Sequence, residues 1–305
     1  MLVSAGLVVV AIGGLWIGAR WLVSGGSAVG THLGASPLVI GLTVVAFGTS
    51  MPEFAVTVEA SLLGRGDIAV GNVVGSNIFN LGFVLGTTAL LGTLDRTRRL
   101  VHRDGAALVV ASAALVVMLA DGGLARVEAG LLALGLVGYL GLVLRSGGAT
   151  RGDTPAPTTT PARDTARLVV GLAAVVVSAR LLVAGASTIA AAAGVSEWVI
   201  GVTVVAAGTS TPELVTAVVA ARSDRPGMSV GGLLGSDLFN ILGVLGVAGL
   251  VRPLTVGPAA STSLLWMLAT VVVVVGLLWT DRQLTRAEGA LLVGVAAVRW
   301  AVNVV

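Results

Sequence analysis

The chain has 305 residues, of which 56% are hydrophobic and 11% are charged, and its formal net charge is +3. Soluble domains carry about 25% charged residues, so this composition excludes a soluble protein and indicates an all-α integral membrane protein. Cysteine is absent, which excludes disulfides, thiolate metal sites and thiol catalysis. The two histidines lie outside any cluster of carboxylates, which argues against a zinc or haem enzyme. The basic residues are arginines spread over the connecting segments, which predicts no nucleic-acid partner and a lipid bilayer as the environment.

Apolar segments of about 20 residues follow one another along the chain, each long enough to cross a membrane as a helix. The first lacks the basic start and cleavage site of a signal peptide, so it is kept as a helix. A stretch rich in Pro, Thr, Gly and Arg, residues 145–167, is predicted to be a flexible linker between halves 1–144 and 168–305. The ten predicted spans are 3–19, 37–62, 69–91, 104–120, 124–144, 168–186, 197–221, 229–250, 261–280 and 286–304.

The two halves repeat one unit. A shift of 160 residues aligns Pro37–Gly86 with Glu197–Gly246 without a gap, and eight of the sixteen positions in Gly71–Gly86 are identical in the second copy. Five spans in each copy predict inverted repeats, because an odd number sends the second copy into the membrane from the opposite side. With both termini outside, thirteen of the eighteen arginines fall in inner loops. For this multi-pass protein of the cell membrane, the positive-inside rule therefore predicts that the linker is cytoplasmic.

The most unusual segment is Gly48–Glu53, with the sequence GTSMPE, which recurs as GTSTPE in Gly208–Glu213. Pro52 cannot donate a backbone hydrogen bond, so each helix should break there and free backbone oxygens. Such backbone is tolerated at membrane depth only where it lines a cavity or is buried in protein. A carboxylate inside a membrane is costly, and two in the same sequence context indicate a function.

The third and eighth spans add further oxygen-bearing side chains at helical spacing, Ser76 with Asn80 and Ser236 with Asn240. Taken singly, a serine or threonine could bond back to its own helix, and an asparagine or a Gly-x-x-x-Gly pair could serve helix packing. Taken together, the second, third, seventh and eighth spans predict an all-oxygen site with two carboxylates at the middle of the bilayer. Oxygen ligands favour hard cations such as Ca²⁺ and Na⁺.

These segments closely resemble the paired repeats of the sodium/calcium exchanger branch of the cation/Ca²⁺ exchanger superfamily, with GNVVGSNIFN and GGLLGSDLFN as further signatures. The resemblance covers essentially the whole chain. It implies Glu53 and Glu213 as carboxylates shared by Ca²⁺ and Na⁺. It implies Asn80 and Asn240 in the middle of the cluster. The flanking Na⁺ sites would use side-chain or backbone oxygens of Thr49, Ser50, Ser76, Thr209, Ser210 and Ser236, helped by the carbonyls of Ala46 and Ala206.

One departure from the family pattern concerns the charge of the site. Some relatives carry Asp at the position of Asn240, particularly in the potassium-dependent branch, so asparagine here argues against K⁺ co-transport. Asp237 stands where many relatives have Asn and is a candidate third acid, although a hydrogen-bonding role at the helix break is favoured. Glu59 and Asp67 have no counterparts in the second half and are interpreted as solvated or access-path residues.

The prediction is a secondary antiporter, not an enzyme, that exchanges Na⁺ for Ca²⁺ by alternating access. The ions are substrates, no cofactor is expected, and no protein partner is implied, so a monomer fits. The resemblance implies about three Na⁺ per Ca²⁺, with the first and sixth predicted spans sliding over a fixed core. A Ca²⁺/H⁺ antiporter is the nearest alternative, because a buried glutamate could carry a proton. A cation channel, which belongs to a different functional class, also stays open.

Overall fold

The computed structural model describes residues 2–32, 45–92, 94–95, 100–147, 160–192, 206–222, 226–280 and 283–304, and helices make up almost all of these residues. In the first half the elements are α1 (Leu2–His32), α2 (Ala46–Thr49), α3 (Met51–Leu62), α4 (Gly66–Phe79), a π-helical segment (Asn80–Val84), α5 (Leu85–Leu91), β1 (Leu94–Asp95), a second π-helical segment (Leu100–Gly105), α6 (Ala106–Met118), β2 (Gly123–Leu124) and α7 (Arg126–Gly147).

The second half follows the same order, except that its described residues include no counterpart of the second π-helical segment. Its elements are α8 (Pro161–Ala192), α9 (Ala206–Thr209), α10 (Thr211–Arg222), α11 (Pro226–Leu238), a π-helical segment (Phe239–Val244), α12 (Leu245–Val251), β3 (Leu254–Thr255), α13 (Ala259–Thr280), β4 (Gln283–Leu284) and α14 (Arg286–Val304).

The first helix of each half is longer than the sequence predicted. Helix α1 has 31 residues, although the predicted span ends at 19, and α8 begins at Pro161, inside the predicted linker 145–167. Both extensions are polar or glycine-rich, so hydropathy does not mark them. The predicted starts of spans 2 and 7 lie outside the described residues.

Within the described part of the chain, seven helices are long and apolar enough to cross a membrane. Two of them form the centre: the continuous helices Gly66–Leu91 and Ser229–Val251 are 72% and 78% buried, whereas the other five are 18–39% buried. Many leucines and valines on the outer helices are exposed, as expected of side chains that face lipid. The architecture is therefore an all-α membrane fold in which two helices are enclosed by the others.

Helices α1 and α8 pack against each other through glycines. A Cβ atom at Gly18 would lie 3.1 Å from the carbonyl oxygen of Gly171, and one at Gly171 would lie 2.8 Å from that of Gly18. At one end of this pair, the His32 Nε2 atom lies 3.2 Å from the Asp164 carboxylate. Small residues let membrane helices approach closely, so the glycines define this antiparallel pair.

Four short strands in the described part of the chain join the two halves. Leu94 pairs with Leu284, and Leu124 pairs with Leu254, in two separate antiparallel ladders. Under the 160-residue shift, β1 corresponds to β3 and β2 to β4, so the two ladders are equivalent contacts with the halves exchanged. Each half thus contributes the same element to the other, which is the pattern that a two-fold relation produces.

Candidate cation site

Two broken helices carry the glutamates. Helix α2 ends at Thr49, Ser50 has φ −83° and ψ 8°, and α3 starts at Met51 with Pro52 in its first turn. The second half has the same break between α9 and α10 at Ser210. The backbone bends at one residue only, since the Phe54 amide still donates to the Ser50 carbonyl at 3.0 Å. The predicted breaks are present, and they are confined to the serine.

The two breaks face each other, and their side chains are crossed between the halves. The Ser50 hydroxyl donates to Glu213 Oε1 at 3.0 Å, and the Ser210 hydroxyl donates to Glu53 Oε1 at 3.0 Å. Both glutamates are buried, at 0% and 2% exposure. Each carboxylate is thus positioned by the other half's serine, so neither half can build the cluster alone.

The neighbouring hydroxyls complete this layer. Ser76 donates to Glu53 Oε1 at 3.5 Å, and the Thr49 and Ser236 hydroxyl oxygens lie 3.3 Å apart. Thr49 and Ser236 also lie close to the carbonyl oxygen of Ala46, each at 3.4 Å. The predicted backbone oxygen of Ala46 therefore lies among the predicted hydroxyls. In the second half, Thr209 is buried beside the same break, and Ala206 is the first residue of α9.

A second layer consists of amides and the third acid. The Asn80 side-chain amide donates to Asp237 Oδ1 at 3.0 Å, and the Asn240 amide donates to Asn77 Oδ1 at 3.1 Å. These contacts are equivalent under the 160-residue shift. Asn77 also donates to the backbone carbonyl of Asp237 at 3.2 Å. An ionised carboxylate has no hydrogen to donate in return, so aspartate at 237 makes this layer asymmetric.

The helices that carry this layer change their winding at it. The π-helical segments begin at Asn80 and Phe239, directly beside the asparagine pair. A π-helical turn is rare, and it is frequent at functional sites because the extra residue per turn reorients side chains and frees backbone groups. Here it places Asn80 and Asn240, which are both fully buried, towards the opposite half.

Five buried oxygen atoms in the cluster have no hydrogen-bond partner among the residues that the structure describes. A buried polar atom without a partner costs roughly 1–3 kcal/mol, so several in one place indicate a ligand that satisfies them. Because all five are oxygens, and because carboxylates are among them, the ligand they fit is a hard cation. The atoms are Glu53 Oε2, Glu213 Oε2, Asn80 Oδ1, Asn240 Oδ1 and Asp237 Oδ2.

Three residues near the site were not predicted from the sequence. Asn77 holds Asn240, and Asn72 donates to Thr57 at 3.0 Å and to the carbonyl oxygen of Glu53 at 3.3 Å. A buried amide inside a membrane span is itself a signal, which would have identified both asparagines. Thr57 carries no such signal, because threonine is common in membrane helices.

The two acids set aside in the sequence analysis lie away from the cluster. Glu59 is exposed on α3. Asp67 is exposed in the first turn of α4, and its Oδ1 atom accepts a hydrogen bond from the Gly257 amide at 2.7 Å. Asp67 thus joins α4 to the segment before α13, which is a structural contact between the halves.

Known proteins are similar to this chain over nearly its whole sequence. The sequence profile described as "Sodium/calcium exchanger protein" matches residues 3–145 and 164–304. The inner membrane protein YrbG of Escherichia coli is 33% identical over 96% of this chain and 94% of its own length. The sodium/calcium exchanger MaX1 of Methanosarcina acetivorans is 30% identical over 90% of this chain and 91% of its own length.

A solved structure extends the similarity to the whole fold. The sodium-calcium exchanger NCX_Mj, soaked with 10 mM Na⁺ and no Ca²⁺, superimposes with a TM-score of 0.87 at 29% identity, covering 98% of both chains. The sequence profile matches both halves of the chain, and the fold agrees over almost its whole length. The chain therefore belongs to the sodium/calcium exchanger family.

Proposed function

We propose that this protein is an antiporter that exchanges Na⁺ for Ca²⁺ across the cell membrane at the cluster around Glu53 and Glu213. The observation that carries the proposal is the pair of crossed serine–carboxylate bonds, which leaves one free oxygen on each glutamate. Two carboxylates balance one Ca²⁺ or two Na⁺ ions. A site of this charge can bind either substrate, and competition between them is the basis of exchange.

The surrounding oxygens divide the cluster into ligand groups. The two glutamates hold Ca²⁺ between the halves, with Asn80 and Asn240 lining the same space. The hydroxyls around each break, with the Ala46 and Ala206 carbonyls, hold Na⁺ beside the carboxylates. This assignment is supported at the first break, where the Thr49 and Ser236 hydroxyl oxygens lie 3.3 Å apart and each lies 3.4 Å from the Ala46 carbonyl oxygen. These distances are long for hydrogen bonds, so the oxygens keep lone pairs that can bind a cation.

The topology belongs to the same proposal. Ten spanning segments form two inverted halves, with both termini outside and the linker in the cytoplasm. The exchanged strand pairs support a two-fold relation, and the arginine distribution supports the orientation. When it is empty, the site leaves two buried carboxylates uncompensated, so the change between outward and inward states is expensive without cations. That coupling distinguishes an exchanger from a cation channel.

The test is exchange in reconstituted vesicles. Vesicles loaded with ⁴⁵Ca²⁺ should release it when Na⁺ is added outside, and release should depend on voltage if a third Na⁺ moves with each cycle. Release driven by a proton gradient without Na⁺ would instead establish a Ca²⁺/H⁺ antiporter. Release without any counter-ion gradient would establish a channel. Either result would overturn the proposed function.

A further inference from the structure

A small cavity lies beside Glu213, on the side where α8 begins. Its polar lining comprises Thr49, Glu213, Thr216, Ser229 and Ser236. It has a volume of about 10 Å³, which is close to what a single water molecule requires. Ser229 is 2% exposed, and in the described part of the chain its hydroxyl has no hydrogen-bond partner. The cavity therefore connects the glutamate to a free, buried oxygen.

Ser229 lies well away from the glutamate along the helix. It is seven residues from Ser236 on α11, which corresponds to about 10 Å along the helix axis. Helix α11 begins at Pro226, so Ser229 lies in the first turn of the helix. The cavity thus extends from the middle of the fold towards the membrane surface on the side of the linker.

An open groove lies next to the cavity, and Val23 lines both. The groove contains Arg20, Trp21, Ser24 and Arg167 on α1 and α8. The neighbouring α10 residues Val219 and Ala220 line the groove and the cavity respectively. A thin apolar layer around Val23 therefore separates the groove from the cavity.

The first half has side chains where the second half has this cavity. Under the 160-residue shift, Asn72 corresponds to Gly232 and Thr57 to Ala217. Asn72 and Thr57 are bonded to each other at 3.0 Å and are buried, so they fill the space beside Glu53. Gly232 and Ala217 carry no such side chains, and both line the cavity.

We propose that Ser229, Thr216 and the space at Gly232 form the passage by which cations move between Glu213 and the linker side of the membrane. The inference deepens the proposed function and rests on it. Thr216 donates to the backbone carbonyls of Pro212 and Glu213, at 2.7 and 3.1 Å, so its lone pairs stay available to a passing ion. Ser229 supplies the next oxygen outward. The layer around Val23 closes the passage in this state and opens it when the site turns to the linker side, which is the state that a reagent applied from that side reaches. The Asn72–Thr57 pair obstructs the equivalent path beside Glu53.

The absence of cysteine from the chain allows a direct test by thiol labelling in oriented membranes. Ser229→Cys should react with a positively charged, impermeant methanethiosulfonate reagent applied from the linker side, which an exposed Thr160→Cys variant identifies. The matched control is Ala69→Cys, the equivalent position of the first half, which is 0% exposed. We expect Ser229→Cys to react at least about tenfold faster than Ala69→Cys from either face. Equal rates, or no reaction at Ser229→Cys, would overturn the passage.

A second pair of variants tests the obstruction. Adding Asn72→Gly with Thr57→Ala to the Ala69→Cys protein should raise its labelling rate towards that of Ser229→Cys, and an unchanged rate would overturn the assigned role of this pair. Labelling requires neither Na⁺ nor Ca²⁺ gradients. Failure of the passage is therefore seen as missing labelling, whereas failure of the proposed function is seen as missing Na⁺-driven ⁴⁵Ca²⁺ release.

Discussion

Replacing Glu53 by glutamine changes the one side-chain atom that the fold does not use. Glu53 Oε1 accepts hydrogen bonds from Ser210 at 3.0 Å and from Ser76 at 3.5 Å, and a glutamine oxygen can accept both. Glu53 Oε2 has no hydrogen-bond partner within the described ranges, and in the variant an amide nitrogen would take its place. Glu53→Gln should therefore preserve the packing of the two breaks while removing one negative charge from the cluster.

The expected loss in Ca²⁺ binding is large. At an effective dielectric constant of about 20, two unit charges about 4 Å apart attract each other by roughly 4 kcal/mol, so a divalent cation gains roughly 8 kcal/mol from one carboxylate. If desolvation offsets about half of this, roughly 4 kcal/mol remains, which corresponds to about a 1,000-fold weaker Kd. Transport at Ca²⁺ concentrations below the parent Kd should fall in proportion.

The assay is Na⁺-driven ⁴⁵Ca²⁺ release from vesicles that contain equal amounts of parent or variant protein, with the melting temperature measured in detergent. Glu59→Gln is the matched control, because it removes an exposed carboxylate from the same helix. We expect the control to transport normally and Glu53→Gln to be inactive with a melting temperature at least as high as that of the parent, because one uncompensated buried charge is removed. If Glu53→Gln keeps more than about a tenth of parent transport, the assignment of this carboxylate is refuted. Such a result corresponds to a loss of less than roughly 1.4 kcal/mol of binding free energy.

Three further predictions follow from other contacts. Ser50→Ala and Ser210→Ala each remove a charge-assisted hydrogen bond worth roughly 1.5–3 kcal/mol, so ⁴⁵Ca²⁺ exchange should fall about tenfold or more in both variants. Normal exchange in either variant would contradict the crossed geometry. Asp237→Asn keeps an acceptor for the facing amide and leaves both glutamates in place, although it replaces the free Oδ2 oxygen by an amide nitrogen, so exchange should stay within about threefold of the parent; a larger loss would show that the cation needs this oxygen. Gly171→Val would place its Cβ 2.8 Å from a carbonyl oxygen of α1, so the overpacking, roughly 1–3 kcal/mol, should lower the melting temperature, whereas Gly6→Val, with no atom within 4 Å of its Cβ, should not.

Several features of the site could be predicted because they are costly wherever they occur. A glutamate in an apolar span is expensive in any fold, so Glu53 and Glu213 were identifiable from the residue pattern alone. The helix break follows from Pro52 alone, because proline lacks the amide hydrogen. The all-α membrane fold follows from the length and number of the apolar segments. The extent of α1 and α8 could not be predicted, because their polar ends are stabilised by packing against each other.

The asymmetry at position 237 lies between these cases. The repeat alignment shows an aspartate opposite Asn77, but it does not show what the carboxylate contacts. In the structure it accepts the Asn80 amide and leaves one oxygen free. The bond crosses 157 residues, so its existence depends on how α4 and α11 are rotated about their axes. Hydropathy contains little information on that rotation, because both helices are buried on most sides and no single face is marked by apolar residues.

The sequence by itself determined the membrane environment, the duplicated unit and the identity of the acids, since each follows from the cost of placing a residue type in lipid or from the 160-residue repeat. Only the tertiary structure decided that each serine bonds the other half's glutamate. It also decided that Asn72 and Thr57 fill a space which stays open beside Glu213. Such contacts join residues far apart in the chain, and their geometry is set by helix crossing and close packing rather than by local composition.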